Sequence, residues 1–180
     1  GVTIAANSTS VLLRTAIQQD TLYEVSEQFT VNTGTITGTV TNTAGATGTG
    51  TIKDDGTGDI FLATNNTETP TANTAPGYPT LDNDKPTVSV SSVTVNEASP
   101  FAVFKVSLSN ASTQAISFTP SLSTGTATVG TDTQNTPSSV ALEYFNGTNW
   151  VSAASGVTIA ANSTSVLLRT AIQQDTLYEV

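Results

Sequence analysis

The chain has 180 residues, a net charge of −9 and an isoelectric point near 4.1, with five basic residues and no Cys, His or Met. So acidic a balance leaves no phosphate-binding stripe and argues against nucleic acid and anionic lipid surfaces as partners. Without Cys or His there is no disulfide framework and no basis for zinc, haem or thiolate chemistry, so stability must come from packing, from hard cations, or from both.

Roughly one residue in five is Thr, and Leu, Lys and Arg are sparse. Thr and Val favour strands, Gly, Asn and Asp favour turns, and no sustained 3.6-residue apolar stripe occurs, so the expected class is all-β. No run of about eighteen apolar residues exists, so no membrane insertion by this segment is expected. No signal peptide is visible, and any export signal is expected outside these residues.

Residues 1–25 (GVTIAANSTSVLLRTAIQQDTLYEV) recur letter for letter as residues 156–180, a tandem period of 155 residues. Such identity is the mark of a structural unit repeated for length, and it lowers the prior for an enzyme. The chain is read as three parts: 1–55, the last strands of one repeat; 56–85, a linker or surface-hugging arm; and 86–180, the first strands of the next repeat.

In chain order, EQFTVNTGTIT (27–37) and TGTGTIKDD (47–55) are expected as two strands around an Asn/Gly-rich turn. Residues 56–80, rich in Thr, Asn and Pro, offer only DIFL as a further strand. TVSVSSVTVN (87–96) alternates with a phase flip at Ser91-Ser92, which predicts a bulge or a strand crossing between sheets. FAVFKVSLS (101–109) turns Phe104, Val106 and Leu108 inward, and AISFTPSLS (115–123) does so with Ile116, Phe118 and Leu122. VALEYF (140–145) and the segment from Trp150 flank Asn146-Gly147-Thr148-Asn149, a hairpin turn. VTI (157–159), a turn at AANS and SVLLRTAI (165–172) follow, with Val166, Leu168 and Ile172 on one face. About seven short strands at this spacing predict an immunoglobulin-like antiparallel β-sandwich, repeated in tandem.

Reading the unit as 86–180 followed by 26–85, alternate loops of an antiparallel sandwich fall at one pole. That pole collects Glu97, Asp132, Asp175, Glu179, Glu27, Asp54 and Asp55, with few bases to pair them. Crowded carboxylates repel unless a cation lies among them, and all-oxygen ligation from loops suits Ca2+. Asp82 and Asp84 (LDNDKP) are read as a solvated turn, with a contribution to a junction site as the alternative.

VSVSSVTVNE (88–97), GTATVGTD (125–132), DTLYEVSEQF (20–29) and GTGTIKDDG (48–56) together resemble Calx-beta domains, in the form repeated in giant RTX and type I-secreted bacterial adhesins. The resemblance implies calcium ligands at Glu97, Asp132, Asp20, Glu24, Glu27, Asp54 and Asp55, with Asp175 and Glu179 repeating Asp20 and Glu24. Two positions depart from the family pattern: Gln19 (and Gln174) stands where an acid is usual, and Thr133 where a Tyr is frequent.

Catalysis lacks a His or Cys, a general base beside any Ser or Thr, and an aromatic-lined cleft. The expected function is non-enzymatic: a calcium-stiffened spacer in a secreted cell-surface adhesin or extracellular filament, contacting neighbouring repeats. The alternatives are a repeat that itself binds a glycan or surface ligand, with Trp150 as the residue to test, and polymerisation by strand complementation, with 27–55 completing a neighbouring chain. For Trp150 and Tyr144, hydrophobic packing is the simpler account.

Overall fold

Period-two alternation predicts strands alone, and a computed structural model of the chain, which describes residues 1–133 and 142–174, contains nine strands and no helix among them. Every pairing between these strands is antiparallel. Among the described residues no helix is long and apolar enough to cross a membrane. The chain divides into two compact units, Gly1–Asp84 and Lys85–Val180.

The first unit holds one hairpin, β1 (Glu27–Asn32) paired with β2 (Thr47–Ile52). Phe29 stands directly opposite Gly50. A Cβ at Gly50 would lie 2.5 Å from the Phe29 ring, so glycine is what lets the aromatic side chain lie flat across the partner strand. The connection is held by Thr33, whose N–H donates to Ala46 O while its hydroxyl accepts from Ala46 N–H. Residues 56–84 fall within this unit and carry no strand. They are tied to themselves and to the hairpin's exit by Thr71 N–H to Ile60 O and by Gly56 N–H to Asp82 O, each 2.8 Å. Residues 1–20 are exposed throughout and form no strand.

The second unit contains β3 (Val88–Val90), β4 (Phe101–Leu108), β5 (Ile116–Phe118), β6 (Glu143–Phe145), β7 (Trp150–Ser152), β8 (Val157–Ile159) and β9 (Ser165–Ala171). A five-stranded sheet of order β3-β4-β9-β6-β7 faces a two-stranded sheet, β5-β8, across a shared core. Val106 and Leu108 of β4 and Leu168 of β9 meet Val157 and Ile159 of β8, with Phe104, Ile116, Phe118, Leu122 and Tyr144 packed around them. This is sandwich packing of two antiparallel sheets. Burying side chains of this size stabilises by about 1.5–3 kcal/mol each.

The inward alternation along 101–108 is as the pattern predicts, and so is the hairpin at Asn146–Asn149. There the Asn146 side-chain oxygen accepts from the N–H groups of Thr148 and Asn149, and Gly147 takes φ +97°. The strand expected over 87–96 is realised only from Val88 to Val90. At the phase flip the Ser91 hydroxyl replaces a ladder carbonyl by accepting the Lys105 N–H at 2.9 Å, and Val93 and Val95 beyond it belong to no strand. Val88 and Val90 pair with Leu108 and Val106, so they point to the core side of the sheet, yet both are exposed. The inner face is therefore uncovered at the β3 edge.

Candidate metal centre

Asp54 directly follows the Lys53 that ends the hairpin's exit, and its two carboxylate oxygens clamp two backbone segments. One accepts the Glu24 N–H at 3.0 Å and the other accepts the Asp84 N–H at 3.2 Å. An isolated bridge between Asp55 and Asn83 holds the same two strands of chain side by side. As a result Asp54, Asp82 and Asp84, all half-buried, each bring a carboxylate oxygen within 4.8 Å of the others. Three carboxylates so placed can hold a metal ion. All-oxygen donors favour hard cations over soft ones.

The electrostatics of the region are those of crowded carboxylates. The Asp84 carboxyl titrates above its ordinary 3.8, first because burial disfavours its charge and then because Asp82, Asp54 and Asp20 face it. Glu24 is raised above its ordinary 4.5, chiefly by Glu27, with burial, Asp20 and Asp54 adding to it. Asp55 moves the other way, because the hydroxyl and the N–H of Thr57 both donate to its Oδ1. Its carboxylate closes an Asx turn over residues 55–57, a use typical of Asp in loops. Asp20 does the same, accepting the Leu22 N–H at 2.8 Å.

Asp20, Glu24, Glu27, Asp54 and Asp55 thus belong to the first unit, and their neighbourhood includes Asp82 and Asp84, which the sequence pattern alone presents as a solvated turn. The signal for these two was present as acids at i and i+2. What the sequence does not reveal is that the Asp54 carboxylate hydrogen-bonds to the Asp84 backbone across 30 residues. Glu97 and Asp132 belong to the second unit. Glu97 is exposed in the loop from β3 to β4, and the Asp132 carboxylate accepts the N–H of Thr128 within its own loop. Asp175 and Glu179 lie outside the described residues.

Trp150 lies on the outer face of the five-stranded sheet. Its ring centroid is 5.5 Å from that of Phe145, and the Arg169 guanidinium carbon stands 4.4 Å from the Trp150 centroid and 3.9 Å from that of Phe101. Arg169 is fixed in turn by Glu143, at 2.6 Å. Comparison with protein-family models, with curated proteins and with solved structures finds no match for the chain.

Proposed function

We propose that this chain is a structural repeat, a spacer of a long secreted surface adhesin or extracellular filament, whose first unit binds Ca2+ at Asp54, Asp82 and Asp84. The observation that carries the reading is the carboxylate trio itself, which joins the end of the hairpin at Asp54 to the last three residues of the first unit, 82–84. A divalent cation there would cross-link residues 54, 82 and 84 and stiffen the stretch of chain that leads into the next unit. Asp20 and Asp54 both raise Glu24, and Asp20 also raises Asp84, so these acids share one field with the trio.

Three further facts support the repeat and its Calx-beta-like character. The exact recurrence of 25 residues marks a tandem array. The five-stranded sheet β3-β4-β9-β6-β7 facing β5-β8 is an antiparallel sandwich, the broad architecture to which immunoglobulin-like domains belong. The opposing sheet has two strands, and Val88 and Val90 are left bare on the core side, which leaves core surface for the last strands of the same repeat to cover. The placement of Arg169 over the Trp150 ring favours packing over a sugar platform for that tryptophan.

Calorimetric titration with CaCl2, paired with thermal melts in EDTA and in millimolar Ca2+, tests the calcium reading. Saturable heat and a higher melting temperature with Ca2+ are expected, at the affinity of about 10⁻⁴–10⁻³ M common in extracellular modules. A melting temperature indifferent to both additions would sink it.

A further inference from the structure

The turn between β6 and β7 places an amide beside a nucleophile. Asn146 and Gly147 are both exposed, and they form the only Asn-Gly step in the sequence. A side chain on the residue after an asparagine shields that residue's backbone nitrogen, and glycine has none. Here the space beside Gly147 is open, since a Cβ placed on it would meet nothing within 4 Å. At φ +97° Gly147 holds a conformation that other residues rarely adopt, so the turn itself demands glycine after Asn146.

The Asn146 carboxamide is held in a manner that bears on its reactivity. Its Oδ1 accepts two backbone N–H groups, from Thr148 at 3.0 Å and from Asn149 at 2.9 Å. Asn146 donates its own N–H to Asn149 O at 3.0 Å, which closes the loop. Two donors on one carbonyl oxygen draw electron density from its carbon. They also lie at the distance from which N–H groups stabilise the negative charge that builds on such an oxygen during nucleophilic addition. A single donor of this kind is worth about 10²–10³ in rate in a buried site, and less in water.

We propose that Asn146 is a self-modification site, converted without an enzyme to an acidic residue through attack by the Gly147 nitrogen. That nitrogen bonds to the side-chain carbonyl carbon of Asn146, and the side-chain NH2 leaves with the nitrogen's proton as ammonia. A succinimide ring then spans the two residues. Water opens it at either carbonyl. Opening at the side-chain carbonyl restores the main chain with an aspartate at position 146. Opening at the main-chain carbonyl leaves an isoaspartate, in which the main chain runs through the former side chain. Water is the only co-reactant, and the protein gains one negative charge.

The two products meet the same turn differently. A carboxylate in place of the amide keeps both acceptor bonds and strengthens them, because charge-assisted hydrogen bonds are about twice as strong as neutral ones. Isoaspartate instead lengthens the main chain by a methylene inside the loop that the Asn146–Asn149 bond closes. The neighbouring rung pairs Phe145 with Trp150, their ring centroids 5.5 Å apart, and it loses its register. Trp150, the only tryptophan, therefore reports the isoaspartate form by fluorescence. The inference depends on neither calcium nor the repeat.

The test ages the full chain in EDTA at mildly alkaline pH, folded and unfolded in urea, with peptide mapping by mass spectrometry. In the folded chain, conversion at Asn146 is expected to outpace that at every other asparagine by about tenfold or more. It is also expected to be at least as fast as in urea. Asn7 and Asn162, each followed by Ser, are the internal controls. As isoaspartate accumulates, the Trp150 melting transition of the aged chain should lose amplitude in proportion. Asn146→Ser keeps an acceptor oxygen in the turn but has no amide to lose, so its transition should not change with age. Conversion slower in the folded chain than in urea overturns the proposal, because the turn would then shield the amide. So does faster conversion at any other asparagine, or an Asn146→Ser chain that loses its transition on ageing as the parent does.

Discussion

Arg169 and Glu143 stand directly opposite one another on β9 and β6, with the guanidinium Nε 2.6 Å from the carboxylate Oε2. The pair is about one-fifth exposed, which leaves it partly screened by solvent. Its value comes from the combination: the carboxylate holds the guanidinium plane between the Phe101 and Trp150 rings, where each cation–π contact adds about 0.5–1 kcal/mol. Arg169→Ala is expected to destabilise the second unit by about 1–2 kcal/mol. Arg169→Lys should recover less than half of that, because an ammonium cannot stack flat or bind in a fork. Urea unfolding followed by Trp150 fluorescence measures both. Arg14 occupies the same place in the first copy but donates to Ala63 O, and Arg14→Ala is expected to leave that transition within about 0.5 kcal/mol of the parent chain.

The turn at Asn162 gives an internal comparison of the same kind. A non-glycine residue at φ +63° costs about 1–2 kcal/mol unless its side chain tolerates the left-handed region, as Asn does. Asn162→Ala should therefore lower the stability of the second unit by about 1 kcal/mol, and Asn162→Gly should be nearly neutral. Asn7→Ala alters an identical turn whose flanking residues are unpaired, so the Trp150 transition is expected not to move. An equal loss from Asn7→Ala would mean that the first copy already supports the second unit.

What is local in this protein is legible in its letters. Alternation along FAVFKVSLS gives the buried face of β4, the Asn146–Asn149 turn gives the β6–β7 hairpin, and Ala5–Ser8 and Ala160–Ser163 form one turn twice. What depends on distant partners is not. No pattern in residues 1–19 distinguishes them from 156–174, yet only one copy becomes a strand pair, because strand formation is decided by the frame. Val93 and Val95 alternate as well as Val88 and Val90 do, but no strand forms past the Ser91 hydroxyl. The candidate metal site was half visible for the same reason. The acids of the hairpin end stood out as a set, while Asp82 and Asp84 joined them only through backbone bonds made across the fold.

The pH dependence of the first unit follows from its crowded acids. Glu24 and Asp84 titrate above their ordinary 4.5 and 3.8, so in that window the folded chain binds more protons than the unfolded one. Their contribution is therefore fully present below the unfolded values and is lost as pH rises through the raised ones. Asp55, shifted down from 3.8, acts oppositely, and its contribution is lost as pH falls below that range. In EDTA the first unit is expected to be most stable near pH 4–5 and weaker at about pH 7. Saturating Ca2+ should reverse that order, because ligation requires the carboxylates to be ionised. Calorimetric melts across this range test it, with Trp150 fluorescence identifying the transition that belongs to the second unit.

Neutralising one carboxylate separates repulsion from ligation. Asp82 is the charge that most opposes ionisation of Asp84, so Asp82→Asn removes a repulsion that the metal-free site carries at neutral pH. In EDTA at about pH 7 the variant is expected to melt at the same temperature as the parent chain or higher. With Ca2+ the sign inverts, since one of three clustered carboxylates has lost its charge and an oxygen donor. Affinity should fall about tenfold or more, and the Ca2+-induced rise in melting temperature should shrink with it. Asp54→Asn is the contrasting variant. It also replaces an oxygen that accepts the backbone N–H of Glu24 or Asp84, so it should lower the melting temperature in EDTA as well as weaken the Ca2+ response. If Asp82→Asn destabilised the chain in EDTA as much as Asp54→Asn, the trio would be a hydrogen-bonded structural knot and not a strained site awaiting a cation.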